Sequence, residues 1–257
     1  MWREHRITMI AAVCMACCTF ALPRNALPNG ETGVADPTEH EFYFTRGIYG
    51  QGGAEDDWGP RWAIDYPTAD QQFLIALRRL TVVDAFASDN AVPIDDPRLR
   101  DFPFAYILEV GALILEEGQA RGLREYLEKG GFLVIDDFWG SWAWRNLETQ
   151  LAKVFPDRPI VEVPLEHPVF HAFYDVREIL QVPNVYQARG GPTHELDGYN
   201  PHVRGIFDDR GRLMVLINWN TDLGDAWEWA DNPRYPLRYS TYAYELGINF
   251  VIYAMSH

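Results

Sequence analysis

Short apolar strands alternate with an amphipathic helix in the central part of the chain. Ala105–Val110 and Phe132–Ile135 have the continuous apolar character of buried strands. Between them, Glu116–Lys129 repeats apolar residues at helical spacing, and Gly130-Gly131 provides a signal that ends the helix. A strand–helix–strand unit of this kind joins parallel strands through a crossover helix that covers the sheet. The pattern therefore predicts an α/β fold, in which a mostly parallel sheet carries helices on both faces.

Further signals extend this pattern along the chain. Thr68 and Gln71 are spaced as a capping box at the start of a helix, and Ser141 is placed to cap a second helix. Val203–Phe207 and Arg212–Ile217 flank a turn sequence, which predicts a β-hairpin. We also expect strands at 41–45 and 159–163 and a closing helix at 240–255.

The first residues have the form of a secretory signal peptide. A basic start precedes an apolar run from Ile7 to Leu22, which is short for a membrane-spanning helix, and residues 19–21 offer a cleavage site. We predict a signal peptide at 1–21, a linker at 22–40 and a single α/β domain at 41–257, in a secreted or periplasmic protein. An uncleaved segment would instead anchor the protein to a membrane. All three cysteines lie before residue 19, so a cleaved chain would contain none.

The charge of the chain argues against two classes of partner. The 257 residues carry a formal net charge of −15. Nucleic-acid binding needs a basic surface, and the sequence has no basic cluster. Anionic membrane surfaces are disfavoured for the same reason. We therefore expect no nucleic-acid partner, and membrane contact only through an uncleaved N-terminal segment.

Two groups of residues have the composition of a metal or acid–base site. Asp136 and Asp137 directly follow a predicted strand, and open α/β sheets bind ligands at the carboxyl ends of their strands. Alternatively, one of these acids caps the next helix. His167 and His171 stand four residues apart, so on a helix they would share one face, as metal ligands do. The alternative for the histidines is capping and core hydrogen bonding. The residues that could complete their shell are Glu166, His202 and Asp208.

The segment 218–233 contains three tryptophans and four acids and no basic residue. As a calcium loop it fails, because Leu223 stands where glycine is required and Trp229 where glutamate is required. As a binding surface, its rings could stack on sugar or protein while its acids accept hydrogen bonds. Alternatively, the tryptophans fill the core. The candidate ligand-binding residues are Arg46, after the first predicted strand, and Trp219, Asp222, Asp225, Trp227, Glu228 and Trp229.

Several segments resemble a bacterial family called domain of unknown function 4159. They lie at 65–80, 123–138, 167–176, 202–236 and 243–257, and the tryptophan-rich block is the most specific of them. The resemblance implies a fold similar to the class I glutamine amidotransferases, a flavodoxin-like three-layer sandwich. It also implies a secreted or membrane-attached protein, without an established activity. Amidotransferase chemistry needs a cysteine on a strand-to-helix turn. Here the corresponding strand ends in Glu109-Val110-Gly111, so we do not expect glutamine hydrolysis.

Two functional hypotheses follow. The first is a non-catalytic extracytoplasmic binding or interaction protein on an amidotransferase-like scaffold, with an envelope protein or a glycan as its partner. It predicts exposed Trp227 and Trp229 beside a shallow groove. The second is a metal-dependent envelope hydrolase acting on carbohydrate or peptide, and it predicts that the candidate acids and histidines converge in one pocket. We predict no cofactor, and a divalent metal remains an open alternative.

Overall fold

The computed structural model describes residues 34–50 and 59–257, so the predicted signal peptide and most of the linker lie outside the described residues. The strands are β1 (Thr45–Ile48), β2 (Asn90–Pro93), β3 (Phe104–Leu108), β4 (Phe132–Asp136), β5 (Val161–Glu162), β6 (His202–Phe207) and β7 (Leu213–Trp219). The helices are α1 (Thr68–Leu80), α2 (Glu117–Glu128), α3 (Gly140–Val154), α4 (Leu223–Glu228) and α5 (Leu237–Ser256). None of these helices of the described residues combines the length and apolar composition that a membrane crossing requires.

The seven strands form one mixed sheet in the order β2-β1-β3-β4-β7-β6-β5. The strands from β2 to β7 in this order are parallel, whereas β6 and β5 add to the sheet antiparallel. In the middle of the sheet, Leu108 at the end of β3 lies beside Asp136 at the end of β4. The carboxyl ends of the parallel strands therefore meet at one end of the sheet. The predicted α/β fold with a mostly parallel sheet is confirmed.

Apolar cores lie on both faces of this sheet. Phe104, Tyr106 and Leu108 of β3 face the core that contains the apolar side chains of α1, α4 and α5. Ala105 and Ile107 face the core of α2 and α3, because successive side chains of a strand point to opposite faces. Burial on both faces explains why the central strands are apolar throughout. Only the ends of such strands are open to a ligand, so we expect a binding site at the carboxyl end of the sheet.

The predicted hairpin and closing helix are both present. β6 and β7 pair in antiparallel register, with His202 beside Trp219. α5 begins three residues before the predicted position 240 and continues to Ser256. The first strand is shifted from the prediction, since β1 begins at Thr45 and Phe42 makes only an isolated bridge to Ala85. The strand predicted at 159–163 is reduced to the two residues of β5.

The predicted caps of two helices are wrong. Pro67 occupies the N-cap position of α1, and no described side chain caps that helix. α3 begins at Gly140, and Ser141 is already inside it. The first N–H groups of α3 are instead bonded by distant side chains: Asn220 Oδ1 accepts from Gly140 N at 2.9 Å, and Asp197 Oδ1 from Ser141 N at 2.9 Å. Tertiary contacts have taken over the role that a local cap would have.

Candidate functional site

Acidic residues follow the parallel strands at the carboxyl end of the sheet. Glu109 directly follows β3, Asp137 directly follows β4, and Asp222 comes shortly after β7. Asp65 lies in the connection from β1 to α1. The chain leaves β1 towards β2 on one side, while β3 lies on the other side of β1. Such a change of direction is the point at which open α/β sheets bind their ligands.

These acids line a cavity of about 420 Å³, which we call the acidic pocket. Its wall also contains Asn184, Tyr186 and Trp229, and none of the described lining residues is basic. Arg61 lies at one side, with Nη1 3.4 Å from Glu109 Oε2. The seven carboxylates of the acidic pocket belong to Asp65, Glu109, Asp137, Glu195, Asp222, Asp225 and Glu228.

Within the acidic pocket, two groups of carboxylates have the spacing of metal ligands. Asp65, Asp137 and Asp222 each offer an oxygen, and these oxygens all lie within 4.8 Å of one another. Asp65, Asp225 and Glu228 form a second group with the same spacing. Asp65 belongs to both groups, and among the described residues its Oδ2 has no hydrogen-bond partner. This arrangement can accept one or two cations through oxygen ligands.

Hydrogen bonds hold the acids in place from behind. Asp137 Oδ1 accepts from Trp139 Nε1 at 3.1 Å, and Asp222 Oδ1 accepts from the N–H of Asp225 at 2.7 Å. Asp225 Oδ1 accepts from Trp229 Nε1 at 3.1 Å. In Asp137 and Asp222 the bond fixes one carboxylate oxygen, whereas Asp225 also accepts from the N–H of Val185 through Oδ2 at 2.6 Å. The acids are therefore preorganised, because little side-chain freedom remains to be lost on binding.

The backbone is strained at three of the lining acids. Asp65, Glu109 and Asp137 have φ values of 59°, 54° and 46°, which lie in the left-handed region. Residues other than glycine rarely adopt this conformation, which costs on the order of 1–3 kcal/mol at each position. Strain of this kind concentrates at sites where side-chain direction matters. It is an independent sign that the protein maintains the position of these carboxylates.

Burial and mutual repulsion disfavour ionisation in the acidic pocket. Burial raises the pKa of Asp65, Asp137 and Asp222 well above the usual carboxyl value, and the neighbouring carboxylates raise it further. Burial also raises the pKa of Asp225 and Glu228 at the outer side. The pocket is thus short of positive charge, and either protons or a cationic ligand can supply it.

A larger cavity of about 650 Å³ lies at the opposite end of the sheet, but its lining charges are more nearly balanced than those of the acidic pocket. Two of its acids are paired with two of its bases: Arg158 Nη1 lies 2.8 Å from Asp209 Oδ1, and Arg212 Nε lies 3.3 Å from Asp208 Oδ2. These pairs neutralise the charge that a ligand would otherwise recognise. We therefore place the candidate site in the acidic pocket, where charge is unbalanced.

Arg46, a predicted ligand-binding residue, has a structural position instead. Its side chain is fully buried and forms an ion pair with Asp70, which is also fully buried. The guanidinium carbon lies 4.9 Å from the ring centre of Tyr106, and Nη1 donates to the carbonyl of Ile64 at 3.2 Å. Arg46 therefore stabilises the segment that precedes Asp65 and does not reach the cavity.

The paired acids Asp136 and Asp137 have different roles. Asp137 lines the acidic pocket, whereas Asp136 is fully buried beneath it. Asp136 Oδ2 accepts from the hydroxyl of Tyr106 at 2.7 Å and from the N–H of Leu223 at 2.8 Å. Burial raises the pKa of Asp136 to about 6, although these hydrogen bonds favour its charged form. Asp136 thus anchors the start of α4. Neither Asp136 nor Asp137 caps α3 as predicted, because the N-cap of α3 has no side-chain hydrogen bond among the described residues.

The histidines and Asp208 do not join the acids. Only a single 3-10 turn, Pro168–Phe170, separates His167 from His171, so the predicted shared helical face does not form. His167 Nδ1 accepts from the N–H of Val169, and His171 Nδ1 lies 2.8 Å from Asp175 Oδ1. His202 and Asp208 are engaged on β6 and in the hairpin turn by Glu162 and Arg212. Of the described residues lining the acidic pocket, none is a histidine, so the predicted convergence is wrong.

The tryptophans of 218–233 divide between core and pocket. Trp227 is 1% exposed, with its ring centre 4.8 Å from that of Phe73. Trp219 packs against Trp144 at 4.7 Å and His202 at 5.1 Å, beside the hairpin. Trp229 alone of the three lines the acidic pocket. The predicted exposure of Trp227 is therefore wrong, whereas Asp222, Asp225, Glu228 and Trp229 do lie together in the pocket wall.

Sequence reasoning did not include three important lining acids among its candidates. The strand-end rule that selected Asp137 also places Glu109 at the carboxyl end of a predicted strand, but nothing further in the sequence marked Glu109 as a ligand. Glu195 lies in the long irregular loop 188–202, and loops of that length are often functional. Asp65 carries no such signal, because it lies in a connection that only the tertiary fold brings to the sheet. Tyr186 and Asn184 come from the same irregular region as Glu195.

Comparison with known sequences identifies the family to which the chain belongs. The sequence profile of a family described as Domain of unknown function (DUF4159) matches residues 48–255. No curated protein matches the chain. The matched region includes every described residue that lines the acidic pocket.

Proposed function

The chain belongs to the DUF4159 family, and we propose that this member is a non-catalytic binding protein that takes a cationic ligand into the acidic pocket. The observation that carries this proposal is the convergence of seven carboxylates on one cavity without a basic lining residue among those described. Buried like charges repel each other, and a positively charged ligand relieves that repulsion. Charge complementarity of this kind also selects against anionic ligands.

We further propose that the scaffold is of the class I glutamine amidotransferase-like type. The order β2-β1-β3-β4-β7 supports this, since it corresponds to the flavodoxin-like order 2-1-3-4-5. Glu109 stands directly after β3, with a left-handed φ of 54°, where a nucleophile would be presented on a strained turn. A carboxylate at this position supports binding instead of cysteine-dependent hydrolysis.

The rim of the acidic pocket suits a cationic group carried by a larger partner. Tyr186 is 71% exposed, and Trp229 lies in the wall. Aromatic faces beside carboxylates favour ammonium and guanidinium groups. With an extracytoplasmic location, which the N-terminal sequence supports, the partner is an envelope protein or glycan bearing such a group, or a free cation from the surrounding medium.

The alternative proposal is a metal-dependent envelope hydrolase acting on carbohydrate or peptide. The observation in its favour is that two sets of three acidic side chains share Asp65. Two adjacent metal ions bound by such sets can activate water and stabilise a leaving group. In this form the candidates are the acids of the pocket, and His167, His171 and His202 have no part.

The binding proposal is tested by thermal unfolding of the purified chain with a panel of cations. The panel contains magnesium, calcium, manganese, spermidine and a lysine-rich peptide. We expect at least one of them to raise the melting temperature, by roughly 2–4 °C for each kcal/mol of binding energy in a domain of this size. Asp137→Asn should reduce the shift, while Asp157→Asn, at an exposed acid outside the pocket, should not. An unchanged melting temperature with every cation would refute the proposal.

A further inference from the structure

We propose that the acidic pocket binds hard divalent cations at two adjoining positions. The deep position consists of Asp65, Asp137 and Asp222, and the outer position consists of Asp65, Asp225 and Glu228. This inference rests on the proposed function and narrows its ligand from any cation to calcium, magnesium or manganese. Asp65 contributes to both positions and bridges them.

The spacing of the oxygens fits a single coordination shell. Within each group the offered oxygens lie no more than 4.8 Å apart. Two oxygens bound to one calcium ion lie at most roughly 5 Å apart, given metal–oxygen distances of about 2.3–2.6 Å. Both groups therefore meet this distance condition for calcium without movement of the backbone.

Unpartnered oxygens on buried side chains provide a second, independent observation. Asp137 is 6% exposed and Asp222 is 3% exposed, and both line the cavity. Each has one oxygen bonded inside the protein, and the other receives no hydrogen bond from the described residues. Asp65 Oδ2 is buried and equally without a partner. The buried Asp65 oxygen without a donor is costly, and a metal ion supplies the missing interaction.

The ligand set determines the class of metal. Every charged group in the described lining is a carboxylate, and neither histidine nor cysteine is present there. Oxygen ligands suit calcium, magnesium and manganese, whereas zinc and copper favour nitrogen and sulfur. The pocket of about 420 Å³ also leaves room for the water molecules that these ions retain.

Gly224 provides a test that removes no ligand. A Cβ added to Gly224 would lie 2.6 Å from Asp65 Oδ2, so Gly224→Ala requires the Asp65 carboxylate to move. Gly224 is in α4 and has an ordinary helical backbone, in which alanine is favoured over glycine. We therefore expect this variant to fold and to lose affinity at both positions.

The experiment is calorimetric titration of chelator-treated protein with calcium, magnesium, manganese and, separately, spermidine. We expect a divalent ion to bind to the wild type. Its affinity should fall by more than about tenfold in Asp222→Asn and by about tenfold in Gly224→Ala. Glu228→Gln should weaken only the outer position and leave one equivalent bound. Asp157→Asn is the matched control and should behave as the wild type.

The outcomes separate this inference from the proposed function. If spermidine binds and no divalent ion does, the metal inference is overturned and the cationic binding site stands. If no cation of either kind binds, the proposed function fails as well. Equal divalent affinity in the wild type, Asp222→Asn and Gly224→Ala would place the metal elsewhere and would also overturn the inference. Circular dichroism of each variant establishes that a loss of binding is not a loss of fold.

Discussion

Trp227 and Trp229 show how one change of local structure separates two residues of the same type. In an extended segment, residues two apart point to the same side, which led the sequence to predict a shared surface. The structure instead has α4 at Leu223–Glu228. Side chains two apart on a helix point roughly 200° apart. Trp227 consequently enters the core, and Trp229, just after the helix, reaches the acidic pocket.

Trp227→Ala should therefore be a strongly destabilising substitution. Its ring lies among Phe44, Phe73 and Tyr106, with centre distances of 6.0, 4.8 and 5.5 Å. Truncation of such a buried aromatic residue costs roughly 3–5 kcal/mol. Trp142→Ala is the control, because Trp142 is 67% exposed and its loss should cost less than about 0.5 kcal/mol. Urea unfolding of both variants measures the difference, and equal stabilities would contradict the core position of Trp227.

At the scale of elements, the sequence predicts helices and strands that depend on local patterns, but not contacts between residues far apart in the chain. The periodicity of α2 and α5 and the apolar runs of β3 and β4 lie within short windows of sequence, so the sequence predicted them. α4 has only six residues, too few to show a helical period. The cap of α3 comes from Asp197, 56 residues away, where the sequence suggested Ser141. A prediction from short windows of sequence cannot identify such a distant contact.

The Asp197 contact ties the long loop before β6 to the start of α3. Asp197→Ala should cost about 0.5–2 kcal/mol, as the loss of a helix cap does. It should also speed amide hydrogen exchange in the loop around Asp197 and in the first turn of α3. Glu148→Ala, at an exposed position of the same helix, is the control and should leave exchange in the loop unchanged. If the loop exchanged at the same rate in Asp197→Ala as in the wild type, other contacts would be holding the loop.

At the scale of the whole molecule, the sheet brings together residues that are far apart in the sequence. Asp65 and Asp222 come from opposite halves of the chain and meet because β1, β3, β4 and β7 end at the same place. The strand-end rule allowed the sequence to predict Asp137, and composition allowed it to predict the acids of 218–233. The neighbours of these acids depend on strand order, which the sequence does not state. The fold class was therefore predictable, while the membership of the site was only partly so.

This concentration of acids predicts an unusual dependence of stability on pH in the metal-free protein. Burial, reinforced by neighbouring carboxylates, raises the pKa of Asp65, Asp137 and Asp222, so folding favours their protonated forms. Their contribution to stability is complete below the unfolded pKa of about 4 and is lost as the pH rises through the raised folded values. Surface acids act in the opposite sense: the hydrogen bond from Arg158 lowers the pKa of Asp209, whose contribution is lost only in stronger acid.

We therefore expect the free energy of unfolding in chelator to fall between about pH 5 and pH 8. Burial raises the pKa of Asp136 to about 6, so this residue alone accounts for a loss of about 1 kcal/mol across that range. Urea unfolding at a series of pH values measures the slope, and Asp136→Asn should reduce it. A saturating divalent cation should reduce it further, because bound metal compensates the ionised carboxylates. A free energy of unfolding that stays constant or increases from pH 5 to pH 8 in chelator would show that the pocket is not short of positive charge.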